Sequence, residues 1–234
     1  MKNIPSVSVV MPCLNEERTI GPVIEKIQSV FKEHRIQGEI IVADNGSEDR
    51  SVEIATAKGA QVVHEVIRGY GYAYLKGFAS ARGKYFVMGD SDGTYDFGLI
   101  PLFLERMEKK GHDFVSGSRY LDGGDLEIPF LHRWIGNPVL TVLLNFLFDA
   151  RYTDVYCGLR SFTREAYERI RPLSGGMEFN LELAINARLA GLKISEIPVH
   201  LAPRQGESKL NTVVDGWRSF RMILKKVRGK ITYS

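Results

Sequence analysis

Two acids stand one residue apart in Met88-Gly89-Asp90-Ser91-Asp92-Gly93-Thr94-Tyr95-Asp96, directly after the run Gly83-Lys84-Tyr85-Phe86-Val87-Met88. That run is apolar and aromatic and bounded by glycine, so it reads as a buried strand with Asp90 and Asp92 at its end. In open α/β sheets the carboxyl edge of the strands is where ligands bind. Two carboxylates held there suit a hard divalent cation, since Mg2+ or Mn2+ takes oxygen ligands and usually keeps waters and substrate phosphates. Asp, Ser and Gly are also the commonest turn residues, and the D-x-D tripeptide alone leaves the turn and the metal site both open.

Acids recur where strands end. Residues 39–43 form an apolar strand that runs into Asp44-Asn45-Gly46-Ser47-Glu48-Asp49. Asp44 either starts a turn or meets a ligand, and Asp49 is placed to cap the next helix. Earlier, the β-branched strand at 7–11 stops at Pro12 and leads into Cys13-Leu14-Asn15-Glu16-Glu17. A helix follows, with Ile20, Val23, Ile24, Ile27 and Phe31 at helical spacing. Glu16 and Glu17 favour its N-terminus by charge alone or serve the site. After a third strand at 61–65, Arg68-Gly69-Tyr70-Gly71-Tyr72-Ala73 opens a helix, and glycines beside a cation can let backbone N–H groups approach a phosphate.

The elements that position these residues alternate strand and helix, which implies βαβ units with their loops gathered on one edge. Residues 99–110 read as an amphipathic helix and 113–116 as a short strand leading to Gly117-Ser118-Arg119-Tyr120. Beyond a looser stretch with Gly123-Gly124 and Pro129, residues 138–148 are apolar nearly all round. They are too short to span a bilayer and form either a core helix, the favoured reading, or one lying in an interface. Asp154 and Cys157-Gly158-Leu159-Arg160 precede a helix at 163–170; a further helix starts at 177–182 and closes at Gly191, and 194–199 reads as a strand. His64 and His200 read as sheet-edge residues, and Arg204-Gln205-Gly206-Glu207-Ser208-Lys209 as a basic loop. The last helix carries Val213, Trp217, Phe220, Leu224 and Val227 on one stripe, with Arg218, Arg221, Lys225 and Arg228 largely off it. Such a helix faces an anionic membrane or packs on its own domain.

Composition sets the bounds. The chain of 234 residues is 44% hydrophobic and 25% charged, ordinary for a globular protein able to bury a substantial core. Its net charge of +3 is small, so bulk electrostatics does not argue for nucleic acid, which is not expected as a partner, and any anion binding must come from local clusters. Cys13 and Cys157 match neither a disulfide framework nor a metal motif and read as reduced thiols. With no signal-peptide pattern and no apolar run near the roughly 20 residues of a membrane span, the expected location is cytoplasmic.

Six motifs occur in the order found in family 2 glycosyltransferases, over about nine tenths of the chain. They are Val9-Val10-Met11-Pro12-Cys13-Leu14-Asn15-Glu16-Glu17, Val42-Ala43-Asp44-Asn45-Gly46-Ser47-Glu48-Asp49, Arg68-Gly69-Tyr70-Gly71, Gly89-Asp90-Ser91-Asp92, Gly117-Ser118-Arg119-Tyr120 and Arg204-Gln205-Gly206-Glu207-Ser208-Lys209. More narrowly they resemble polyprenyl-phosphate sugar synthases such as dolichyl-phosphate mannose synthase. The resemblance implies an α/β GT-A fold: a Rossmann-like half with a mostly parallel sheet, 1–118, binding a nucleotide sugar (GDP- or UDP-linked). It further implies an acceptor half at 119–210 and a basic C-terminal helix at 211–234, all within one catalytic domain. By the same resemblance Pro12, Asn15, Glu16 and Asp44 line the nucleotide pocket and Asp90 sits by the ribose. Asp90 and Asp92 hold Mg2+ or Mn2+ on the diphosphate, Arg119, Arg133, Arg204, Ser208 and Lys209 gather phosphates of acceptor and donor, and Arg68 is a further substrate-binding residue, with Asp90, Asp92 and Arg119 as the catalytic set. Asn45 stands where many relatives have a second Asp, and Gly93-Thr94-Tyr95-Asp96 replaces the more frequent Leu-Gln.

The implied activity is inverting, metal-dependent transfer of a hexose to a polyprenyl phosphate, with peripheral attachment to the membrane surface or to a membrane partner. A lipid phosphate is already ionised and needs no general base. A soluble sugar acceptor, the alternative, would need one, and Asp96, Glu178 and Glu182 are the candidates. A nucleotide-binding subunit without turnover is the third reading, which intact Asp90, Asp92 and Arg119 oppose.

Overall fold

A computed structural model describes residues 5–123, 137–203 and 212–232. Among them, β1 (Val7–Cys13), β2 (Gly38–Asp44), β3 (Gln61–His64), β4 (Tyr85–Met88), β5 (Phe114–Ser118), β6 (Arg160–Thr163) and β7 (Ile194–Pro198) form one seven-stranded sheet. The order is β3-β2-β1-β4-β6-β5-β7, and every pairing is parallel except those of β6 with β4 and β5. Strands covered on both faces read as continuous apolar runs, which is why β1, β2 and β4 were visible in the sequence.

Alternate residues of β1 feed two cores. Val7, Val9 and Met11 pack with α1 (Ile20–Glu33), α2 (Ser51–Ala57) and α4 (Ile100–Glu108) through Ile20, Ile24, Ala55 and Phe103. Val10, with Ile41 and Phe86, faces the second core, which receives α3 (Tyr70–Ser80), α5 (Asn137–Phe148), α6 (Arg164–Ile170), α7 (Phe179–Leu189) and α8 (Thr212–Thr232). Aromatic rings order this second face: Tyr74 stacks on Phe179 at 5.6 Å and Phe114 on Phe162 at 5.7 Å. Each such buried ring contributes about 1.5–3 kcal/mol.

The structure departs from the sequence reading in several places. The strand expected to stop at Pro12 continues to Cys13, paired with β2, and the strand expected at 113–116 spans Phe114–Ser118. The strand expected at 39–43 extends to Gly38–Asp44, so Asp44 is its last residue. The helix expected over 99–110 is a 3-10 turn at Phe97–Leu99, capped by Asp96, followed by α4. β6 was not anticipated at all; Arg160, fully buried, donates to the carbonyls of Val155, Cys157 and Asn180. On α8 the stripe expected to mark one face is split: Trp217, Phe220 and Leu224 are exposed, while Ser219, Met222 and Ile223 are buried.

Candidate active site

Parallel pairing brings the motif loops together. Cys13 lies opposite Asp44, and Val10 opposite Met88, so the β1, β2 and β4 loops leave the sheet side by side. β5 and β7 end on the same edge, and antiparallel β6 starts there, opposite Met88, which brings Asp154 and Gly158 to it. The first two loops are stitched by hydrogen bonds. Asn15, at φ 55° in the left-handed region that Asn tolerates, accepts from the Glu48 N–H at 2.8 Å and donates its own N–H to Ser47 Oγ at 3.0 Å. The Glu16 N–H donates to Ser51 Oγ at 2.7 Å.

Burial opposes the charged form of Asp44, yet hydrogen bonds from Ser47, His64 and the Gly46 N–H outweigh it and hold its pKa below the usual carboxylate value. His64 thus serves Asp44 at the sheet edge. Asn45 donates to the carbonyls of Glu65 and Ile67 and accepts from the Gly69 N–H, bridging the β2 and β3 loops. An aspartate there would lose both donated bonds. Arg68 is held against the same loop by a 2.7 Å bond to the Asn45 carbonyl. Asp49 accepts from Glu17 and Ser51 and so ties the first loop to α2.

The D-x-D acids are individually supported. Ser91 Oγ donates to the Pro12 carbonyl at 2.7 Å, fixing the loop to the end of β1. Asp92, 5% exposed, accepts from the Thr94 N–H and hydroxyl. Asp90 accepts from Tyr70 at 3.0 Å and Tyr74 at 3.4 Å; burial, then the Asp90 charge for Tyr70 and the Tyr70 and Asp90 charges for Tyr74, raises both phenol pKa values well above normal, so both remain donors. Tyr70 is held by Asn180, whose buried Oδ1 has no partner among the described residues. Downstream, Tyr95 accepts from the Gly158 N–H and bridges Leu201, and Ala202 donates to the Thr94 carbonyl.

The helix that carries Tyr70 begins in contact with a glycine turn. The Gly71 and Tyr72 N–H groups donate to the Gly175 carbonyl, and a Cβ at Gly71 would lie 2.1 Å from the Ser174 carbonyl oxygen. Gly71→Ala is therefore expected to destabilise the protein by about 1–3 kcal/mol and weaken ligand binding at Asp90, as thermal unfolding and nucleotide titration would show. An unchanged Tm would mean that the turn yields freely.

Arg119 and Asp154 form a buried ion pair. Nε and Nη2 of Arg119 donate to Asp154 at 2.6 and 2.9 Å, and the Arg119 N–H adds a third bond. Nη1 has no hydrogen-bond partner among the described residues. Arg133, Arg204, Ser208 and Lys209 lie outside the described residues. Sequence reasoning missed Tyr70, Tyr74, Asn137 and Asp154 as site supports; Asp154 shortly before a Cys-Gly pair was the one available signal.

Of the three candidate bases, Asp96 is an exposed cap 3.8 Å from Lys26. Glu182 is buried and engaged by Lys226 and the N–H groups of Leu173 and Ser174, so it is not a mobile base. Glu178 accepts from the Gly176 N–H, and its buried Oε2 has no partner among the described residues. Burial pushes the thiols of Cys13 and Cys157 up to about 11 and about 12, which leaves neither as a thiolate nucleophile.

A GT-A sheet with acids at its carboxyl edge defines the class. The chain belongs to glycosyltransferase family 2: residues 8–171 match the family described as glycosyl transferase family 2, and the protein is a glycosyltransferase. It is 43% identical over 227 residues to the low-salt glycan biosynthesis hexosyltransferase Agl6 of Haloferax volcanii, covering 96% of this chain and 54% of that protein. The chain thus spans about half the length of that relative. With the dolichyl-phosphate hexose transferase of the same organism it shares 33% identity over 218 residues, 93% of this chain and 92% of the other. The crystal structure of glucosyl-3-phosphoglycerate synthase from Mycobacterium tuberculosis, with Mn2+, uridine diphosphate and phosphoglyceric acid, superposes with a TM-score of 0.76. It is 23% identical, covers 95% of this chain and 78% of that one, and shows the fold.

Proposed function

We propose that the protein transfers a hexose from a nucleotide sugar to a polyprenyl phosphate at a membrane surface, with Mg2+ or Mn2+ on the donor diphosphate. Asp90 and Asp92 supply hard oxygen donors at one strand end, and no cluster of three or more His, Cys, Asp or Glu that could hold a metal lies among the described residues. That donor set fits an ion completed by diphosphate and water rather than an all-protein cage. When bound, the ion neutralises charge on the departing diphosphate. Pro12, Asn15, Glu16 and Asp44 line the nucleotide, and Arg119 meets phosphate through Nη1. An ionised phosphate oxygen of the acceptor attacks the anomeric carbon while the bond to the diphosphate breaks, its electron pair leaving with the nucleoside diphosphate. The anomeric centre inverts, and no base is required. Buried thiols and an engaged Glu182 agree with a route that uses no protein nucleophile.

One observation carries the lipid acceptor over a soluble one. Val139, Val142 and Phe146 of α5 are 58%, 68% and 84% exposed, and the neighbouring α8 turns Trp217, Phe220 and Leu224 outward. Arg218, Arg221 and Lys225 are exposed beside them. Apolar side chains flanked by cations suit the boundary of an anionic bilayer, and the likeness to a dolichyl-phosphate hexose transferase points the same way. No helix among the described residues is long and apolar enough to cross a membrane, so contact through these faces would be peripheral.

The direct test is a screen of UDP- and GDP-hexoses with undecaprenyl and dolichyl phosphate. A labelled product extracted into organic solvent supports the proposal; a labelled product only with water-soluble sugars selects the alternative acceptor. Flotation with anionic liposomes tests the surface: binding is expected at low salt and weakens at high salt. Phe146→Ser and Trp217→Ser are each expected to lower the partition on the order of tenfold. Equal flotation of wild type and both variants would remove these faces from the membrane contact.

A further inference from the structure

The buried side of α8 carries two polar residues that apolar packing does not explain. Met222 and Ile223 fill the core, yet Ser219 is fully buried and Lys226 reaches the 3%-exposed Glu182. A hydroxyl and an ammonium on an inward face cost stability unless they are partnered. Both are partnered, and each partner lies a short step from the site. The spacing of seven residues puts them on one face of the helix, about 10.5 Å apart along its axis.

The first route runs through Tyr156. Its hydroxyl shares a hydrogen bond with Ser219 Oγ, and its N–H donates at 3.1 Å to Asp154, the residue that holds Arg119. The second runs through Glu182. Lys226 Nζ lies 2.8 Å from Glu182 Oε1, while Oε2 accepts from the N–H groups of Leu173 and Ser174 at 2.8 and 2.7 Å. The next residue, Gly175, accepts the Gly71 and Tyr72 N–H groups at 2.9 and 3.2 Å, and Tyr70 donates to Asp90. Burial opposes the charge of Glu182, but Lys226 and the two N–H groups keep it ionised.

We propose that Ser219 and Lys226 are positioning residues through which the seating of α8 sets Arg119 and Asp90, one route to each half of the site. A helix that rocks on the domain moves both ends of the transfer geometry together. The consequence for catalysis rests on the proposed roles of Asp90 and Arg119; the mechanical linkage does not.

Amide hydrogen exchange of the full chain separates the two. In Lys226→Met, residues 70–74 are expected to exchange about tenfold faster, with 154–157 unchanged; in Ser219→Ala the pattern reverses. Lys226→Arg keeps the charge and is expected to exchange like wild type. Titration with Mn2+ and uridine or guanosine diphosphate is expected to show about tenfold weaker binding in Lys226→Met, and wild-type affinity in Ser219→Ala. Uniformly faster exchange across the domain in either variant, or no change in the named segments, overturns the linkage. If the exchange pattern holds while wild type binds neither nucleotide, the donor-site reading falls and the linkage stands.

Discussion

Asp92→Asn is expected to lower hexose transfer on the order of 10³-fold or more, and chelation of the wild type with EDTA to reproduce the loss. The side chain is almost fully buried at the end of β4, and one of its oxygens is already fixed by the Thr94 N–H and hydroxyl at 3.0 and 2.7 Å. Asparagine keeps a carbonyl oxygen for those two bonds, so the loop should hold its shape and Tm should change little. What disappears is the negative charge and the second carboxylate oxygen, the features that a hard cation requires. The loss should therefore fall on metal-dependent nucleotide binding and on rate, with far smaller change in unfolding. Full activity of Asp92→Asn in metal-free buffer would take the D-x-D out of the mechanism.

The edge on which these acids stand was readable because β1, β2 and β4 are nearly uninterrupted apolar runs that end at Cys13, Asp44 and Met88, just before or at the polar loops. Strand ends followed by acids, repeated in order, locate the carboxyl edge without any knowledge of strand order. β6 was hidden for the opposite reason. It is four residues long and begins with Arg160, a cation that periodicity assigns to the surface and that three backbone carbonyls satisfy inside. Asn45 looked like a departure at a site acid, and its donated bonds to Glu65 and Ile67 make it a bridge between loops.

Helix α8 shows a different limit. Its strongest apolar stripe, Trp217, Phe220 and Leu224, faces outward, and its inward side includes Ser219 and Lys226. A hydrophobic period cannot tell an inward face from an outward one when the inward face uses polar residues with private partners. Those partners, Tyr156 and Glu182, lie 63 and 44 residues away in sequence, and only the folded chain brings them within reach.

Asp154→Asn is expected to cost about 3–5 kcal/mol of stability, a fall in Tm of about 6–20 °C for a domain of this size. Asp154 is wholly buried and accepts six hydrogen bonds from described residues, three from Arg119 and one each from Asn137, Tyr156 and Cys157. Asparagine would turn an NH2 group toward donors and leave the Arg119 guanidinium buried without its counter-charge, the costly way to break such a pair. Burial alone would raise the Asp154 pKa, but Arg119 and the Asn137 amide outweigh it and lower it below the ordinary carboxylate value. A carboxylate depressed in the folded state stabilises above its unfolded pKa of about 3.9, and that contribution is lost as pH falls through the lower folded value. Wild type should therefore shed this part of its stability only in acid, below about pH 4, whereas Asp154→Asn should lack it already at pH 7 and show a shallower acid limb. Denaturant unfolding of both proteins from pH 7 to pH 3 measures the difference. Parallel curves with equal midpoints would mean that the pair does not hold Arg119, and the proposed contact of Arg119 with phosphate would lose its support.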